Sequence, residues 1–146
     1  MNWDNFLIKP IQTGMLSLLG KKIKNENGTI EGCILPKKIK PNEIVVCVIN
    51  KVNQDIISFI WFGNYINKIN PDLIEKQYIH INYSYTFIKY RNLGLNKKLR
   101  LWIESFGIQN NIEYIVSVPL SDSNSKYVLE KLGYTKINLY YLKKII

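Results

Sequence analysis

Residues 78 to 106 change their hydrophobic period once, and that change limits the fold more than any other feature of the chain. From Tyr78 to Phe87, Ile79, Ile81, Tyr83, Tyr85 and Phe87 alternate with His80, Asn82, Ser84 and Thr86, the two-residue repeat of a strand with one apolar and one polar face. From Leu95 the apolar residues Leu95, Leu99, Trp102, Ile103 and Phe106 fall on one 3.6-residue stripe, which predicts a helix to about Asn110-Asn111. A strand delivered into a helix through a short turn requires helices packed on a sheet. The polar row itself admits two readings, a half-solvated surface strand or a central strand lining a cleft.

The turn between them, Tyr90-Arg91-Asn92-Leu93-Gly94-Leu95-Asn96, has the chemistry of an anion seat. A helix opening here presents N–H groups without intrahelical partners and the positive end of its dipole, and Gly94 lets a ligand approach the backbone. No Asp or Glu occurs from Lys76 to Ile103, whereas Lys76, Lys89, Arg91, Lys97, Lys98 and Arg100 all lie there. Lys97 and Lys98 fall in the first helical turn, where each cation opposes the dipole by roughly 0.3–1 kcal/mol. A bound phosphate reverses that sign; the alternative is a solvated lysine-rich face. The turn is neither a Walker loop, lacking Gly-Lys-Ser/Thr, nor a dinucleotide fingerprint, having one glycine.

The remaining chain supplies more sheet and more helix. Phe6-Leu7-Ile8 reads as an edge strand closed by Pro10, and Met15, Leu16, Leu19 and Ile23 as a helix face after Thr13 as cap, with a strand as the alternative. Residues 25–42 are loop-like. Glu43 to Asn50 encloses a continuous apolar run expected to be buried on both faces, and Ile56 to Phe62 pairs with it across Asn53-Gln54-Asp55. Gly63-Asn64 then opens a loop. Tyr114 to Val118 is another strand. Ser125, Val128, Leu129 and Leu132 form the inward face of a second helix, capped by Ser121, Asp122 or Ser123 and stopped by Gly133. Tyr134 to Ile146 forms one long strand or two short ones.

Composition bounds the remaining possibilities. The formal net charge is +9, but of 20 basic residues only Arg91 and Arg100 are arginine, so the charge partly reflects a lysine-rich composition and no nucleic-acid motif accompanies it. Nucleic acid is not an expected partner. Cys33 and Cys47 stand alone at no metal-ligand spacing. No metal is expected. No apolar run approaches the ~18 residues of a membrane span and the start lacks signal-peptide character, so a soluble, cytoplasmic protein without a membrane partner is expected.

Two segments together resemble a known family. Arg91-Asn92-Leu93-Gly94-Leu95-Asn96 is similar to the pyrophosphate-binding turn of the GNAT acetyltransferases, Q/R-x-x-G-x-G/A between a strand and a helix. Asp122-Ser-Asn-Ser125-Lys-Tyr-Val128-Leu129-Glu130-Lys131-Leu132-Gly133-Tyr134 resembles their late helix, N-x-x-S/A-x-x-x-x-E-K-L-G-F/Y, one helix and one strand later. The resemblance covers Tyr78 to about Tyr134 and implies an α/β (α+β) fold, a mixed, mostly antiparallel sheet with helices on both faces, as one domain over residues 1–146.

It also implies N-acetyl transfer, with acetyl-coenzyme A as co-substrate and a small-molecule or protein amine as acceptor. Arg91, Asn92, Leu93, Gly94, Leu95, Asn96 and Lys97 would hold the pyrophosphate. Main-chain groups at Ser84, Tyr85 and Thr86, with Asp122 and Ser125, would hold pantetheine and polarise the thioester carbonyl. The chain departs from the pattern at Asn96, at Asp122, at Leu129 where a tyrosine often serves as acid, and at Ser117 where some members carry a glutamate. His80, the sole histidine, is the leading base; Tyr127 or Tyr134 could supply the proton. A non-catalytic member that binds coenzyme A or a partner is the alternative, and exposed strand edges allow a homodimer.

Overall fold

The structure, a computed structural model, describes residues 2–27, 35–66, 76–118, 125–137 and 139–146. Along them run β1 (Phe6–Pro10), α1 (Leu16–Asn27), β2 (Glu43–Asn50), β3 (Ile56–Ile66), β4 (Gln77–Thr86), α2 (Leu95–Gln109), β5 (Tyr114–Ser117), α3 (Ser125–Lys131), β6 (Thr135–Ile137) and β7 (Tyr140–Lys144). The strands form one sheet in the order β1-β2-β3-β4-β5-β7-β6. β4 pairs with β5 in parallel, whereas the β1–β2, β5–β7 and β6–β7 pairs are antiparallel. Thus β4 is the central strand of that order. Two compact units divide the chain, one of Met1–Phe62 with Tyr83–Arg100 and one of Gly63–Asn82 with Leu101–Ile146.

In the first unit, β1 lies against β2 from Phe6↔Asn50 to Pro10↔Val46, and Pro10, with no N–H to donate, ends it. Val45, Val46, Cys47 and Val48 of β2 are fully buried, as a continuous apolar run requires. α1 lays Leu16, Leu19 and Ile23 into a core with Val45, Cys47, Ile49, Phe59, Tyr85 and Phe87, each buried side chain contributing about 1.5–3 kcal/mol. The helix reading of this stretch holds, but Thr13 is not its cap. A 3-10 turn at Thr13–Met15 precedes α1, and the Thr13 Oγ1 accepts from the Ile39 N–H at 3.1 Å. Burial pushes the Cys47 thiol up to about 12. Cys33 lies outside the described residues.

In the second unit, β4 and β5 pair from Tyr78↔Tyr114 to Ile81↔Ser117, and the tail resolves into two short strands, β6 and β7, rather than one. Tyr78, Val116 and Tyr140 form one buried cluster within it. A Cβ at Gly107 would stand 2.6 Å from Ile145 Cδ1 and 3.2 Å from Ile79 Cδ1, so close packing explains a glycine that otherwise weakens a helix by about 1 kcal/mol. α3 closes with Gly133 at φ +91° and with Tyr134 N–H donating to Leu129 O at 3.0 Å, a left-handed helix terminus.

Three expectations fail for tertiary reasons. β3 does not stop at Phe62 but runs through Gly63-Asn64 to Ile66. Val128 is 46% exposed and Leu129 2%, so α3 has a narrower buried face than its apolar content indicates. The apolar row of β4 is not one continuous face: Ile79 packs at Gly107 of α2, while Tyr83 and Tyr85 join the α1 core. The caps expected at Ser121, Asp122 or Ser123 lie outside the described residues.

Candidate functional site

The β4–β5 register ends at Ile81↔Ser117, yet β4 continues to Thr86 and leads through a 3-10 turn at Ile88–Tyr90 into the basic turn. Asn92 (φ 63°) and Gly94 (φ 79°) are both left-handed, which folds the segment tightly before α2 starts at Leu95. Lys98 N–H donates to Gly94 O at 3.1 Å and closes the first helical turn. The N–H groups of Leu95, Asn96 and Lys97 therefore precede any intrahelical acceptor. A Cβ at Gly94 would meet no heavy atom within 4 Å. Backbone conformation, not crowding, demands the glycine, and the space in front of it is open.

Side chains fix this turn to the strand. Arg91 Nε donates to Thr86 O at 2.8 Å, and its guanidinium lies 5.4 Å from the centroid of the Tyr85 ring, a cation–π distance. The Tyr85 hydroxyl donates to Glu26 Oε1 at 2.6 Å, and the same oxygen accepts the Ile88 N–H at 2.9 Å. Ser58 Oγ donates to Tyr85 O at 3.2 Å and lies 2.7 Å from Thr86 Oγ1. The carbonyls of Tyr85 and Thr86 thus each accept one side-chain donor, from Ser58 and Arg91. Ser84 is half-buried between them and Asn82.

The basic window does not act as one patch. Lys76 pairs with Glu113 at 3.8 Å, Lys89 lies over the Tyr90 ring at 5.7 Å and Lys98 over Trp3 at 4.9 Å. Lys97 is exposed on the first turn of α2. Arg100 is only 9% exposed, and its Nε donates to Asn96 Oδ1 at 2.8 Å. Asn96, which departs from the small residue of the resembled turn, is thereby occupied with an arginine one helical turn away.

The other expected residues belong to the second unit. His80 Nδ1 is 2.7 Å from Asn82 Oδ1, its ring meets Tyr65 edge-on at 6.1 Å, and Asn82 Nδ2 donates to the Tyr65 hydroxyl at 3.4 Å. Tyr134 is 5% exposed with Lys143 Nζ 5.9 Å from its ring centroid; Lys143 is also paired with Glu104. Tyr127 is 57% exposed on α3, under the Lys126 ammonium at 5.3 Å. Ser125 opens α3, and Asp122 lies outside the described residues. Leu129 and Ser117 are buried at 2% and 3%, so neither stands exposed where the resemblance would put an acid or a base. Among the described residues no cluster of His, Cys, Asp or Glu could hold a metal, and no helix is long and apolar enough to cross a membrane.

Sequence reasoning missed Glu26, Tyr65 and Gly63. Glu26 is an acid in the last turn of α1, where the dipole disfavours it, and that misplacement was the available signal for a tether. Tyr65 follows Gly63 by two in a stretch that reads as loop.

No protein-family model and no curated protein matches the chain. Solved structures do match in fold. An acetyltransferase of the GNAT family from Staphylococcus aureus Mu50 superposes with a TM-score of 0.76 at 16% identity, over 97% of this chain and 99% of that one. Arabidopsis thaliana NAA60 in complex with acetyl-CoA gives 0.74 at 13% identity, over 94% and 96%. The aminoglycoside 6'-N-acetyltransferase AAC(6')-Ih from Acinetobacter baumannii gives 0.67 at 14%, over 90% and 91%. The chain has the fold these acetyltransferases share.

Proposed function

We propose that this chain, built on the GNAT acetyltransferase fold, transfers an acetyl group from acetyl-coenzyme A to an amine. The observation that carries this reading is the start of α2. Its first N–H groups open beside a left-handed Gly94 with empty space before it, directly after the central strand, with the Lys97 cation in the first turn. An anionic pyrophosphate fits that donor set and charge. Arg91 to Lys97 would hold it, and Ser84 to Thr86 would hold the pantetheine arm.

In the reaction the amine nitrogen bonds to the acetyl carbonyl carbon as the carbon–sulfur bond breaks. The proton leaving nitrogen goes to His80, and the thiolate takes a proton from Tyr134 or Tyr127, so amide and free thiol are produced in equal amounts. The acceptor is a small-molecule or protein amine, and the protein acts in the cytoplasm, with its strand edges allowing a homodimer.

Leucine at 129 and serine at 117, where the resembled family carries a proton donor and a base, favour a second reading, cofactor binding without turnover. One assay separates the two. Purified protein with acetyl-coenzyme A is screened against a panel of amines and peptides for thiol release and acetylated product. Release that depends on one acceptor class supports transfer; stabilisation by coenzyme A with no release above the blank leaves only binding.

A further inference from the structure

We infer that the Glu26 carboxylate seats a second positive charge of the acceptor, so that the acetylated amine belongs to a di- or polycationic molecule. This rests on the acetyl-transfer reading above and names its substrate class. Glu26 stands in the last turn of α1 and is half-buried. Its Oε1 accepts both the Tyr85 hydroxyl at 2.6 Å and the Ile88 N–H at 2.9 Å, which holds the carboxylate in one place. Its Oε2 accepts nothing from the described residues.

No cation of the described residues neutralises this acid. The chain carries 20 basic residues against 11 acidic ones, and Asp55, Glu104 and Glu113 each hold a lysine. Glu26 holds none, although Lys22 lies four residues earlier on the same helix, the spacing at which such pairs form. Lys22 goes instead to Asp55 at 3.1 Å, with its ammonium 5.7 Å from the centroid of the Phe87 ring. The sequence repeats the pattern. From Asn25 to Pro36 it has two acids, Glu26 and Glu31, and no Lys or Arg, the reverse of the basic window from Lys76 to Ile103. Both donors on Glu26 are neutral, and the negative end of the α1 dipole lies at the same turn. A docked ammonium turns that repulsion into attraction, as a phosphate does for Lys97 at the start of α2.

The position of the carboxylate suits the acceptor. The main chain of Tyr85 belongs to the stretch Ser84 to Thr86 that would hold the pantetheine arm, and Glu26 holds the hydroxyl of that same residue. The carboxylate therefore stands one tyrosine side chain from the strand. Arg91 of the anion-binding turn lies over the Tyr85 ring at 5.4 Å, yet no salt bridge joins it to Glu26. A seat for a cation and a seat for an anion thus meet at one tyrosine, within one compact unit. The attacking amine is neutral when it reacts, and the second nitrogen stays protonated on Glu26. No proton passes through Glu26.

The test compares α,ω-diamines with monoamines of the same chain length, both as acceptors from acetyl-coenzyme A and as ligands, by calorimetry on protein loaded with coenzyme A. Wild type is expected to prefer the diamine by about ten-fold or more in kcat/KM and in Kd, the scale of a charge-assisted hydrogen bond, with added salt eroding the preference. Glu26→Gln keeps an oxygen for the Tyr85 hydroxyl and the Ile88 N–H. It is expected to keep the fold and coenzyme A binding, and to bring the ratio of diamine to monoamine close to one. Equal treatment of the two amines by wild type, or a preference that survives in Glu26→Gln, overturns the inference and leaves acetyl transfer untouched. Diamine binding that depends on Glu26, with no acetylated product from any amine, supports the cation seat and overturns the acetyl-transfer reading instead.

Discussion

At the scale of single residues, the turn depends on two atoms that are easily removed or added. Gly94 sits at φ 79° with nothing crowding its missing Cβ, so Gly94→Ala meets only backbone strain, about 1–2 kcal/mol. Urea melts are expected to show that loss, together with weaker coenzyme A binding. Asn96 Oδ1 holds the Nε of a largely buried Arg100. Asn96→Ala strips the acceptor and is expected to cost roughly 1.5–3 kcal/mol, the range for a hydrogen bond to a charged group. Cys47 gives a pH dependence whose sign is fixed. Its pKa is raised from 9.0 to about 12 by burial, so the native state favours the neutral thiol. That stability is fully present below pH 9 and is lost as pH rises toward 12, at most roughly 4 kcal/mol at 1.36 kcal/mol per unit. Alkaline titration of stability should therefore fall more steeply in wild type than in Cys47→Ala.

At the scale of elements, α2 is the informative one. Its first turn carries Lys97 and Lys98 against the dipole; Lys98 lies over Trp3, whereas the exposed Lys97 opposes the dipole unless an anion is present. Lys97→Glu is expected to stabilise the unliganded protein by about 0.3–1 kcal/mol and to weaken coenzyme A binding. A loss of both, or a gain of both, contradicts an anion seat at this helix. The elements legible in the sequence were those whose signal is local: the buried run of β2, the period change from β4 to α2, and the glycine stop of α3. β3 was cut short because Gly63-Asn64 reads as a turn, when the glycine instead serves a ring two residues on. The turn at Gly94 was legible because its chemistry is carried by the backbone. The partners of His80 were not, since Tyr65 arrives from another strand and the Asn82 contact depends on which end of an amide faces the ring. Glu26, which ties the Tyr85 hydroxyl and the Ile88 N–H to the end of α1, could be read only as a charge in an unfavourable place.

At the scale of the whole molecule, three cations of the described residues are paired with acids, Lys22 with Asp55, Lys76 with Glu113 and Lys143 with Glu104, and the formal net charge of +9 is what remains over such pairs. The central claim is that the seven-stranded fold carries a coenzyme A site at the start of α2. Thermal unfolding in increasing coenzyme A and acetyl-coenzyme A tests it most directly. At a hundred times Kd, bound ligand is expected to stabilise the protein by roughly 2.7 kcal/mol, with the effect reduced in Gly94→Ala and Lys97→Glu and weakened by added salt. No stabilisation by either ligand at millimolar concentration would contradict the account.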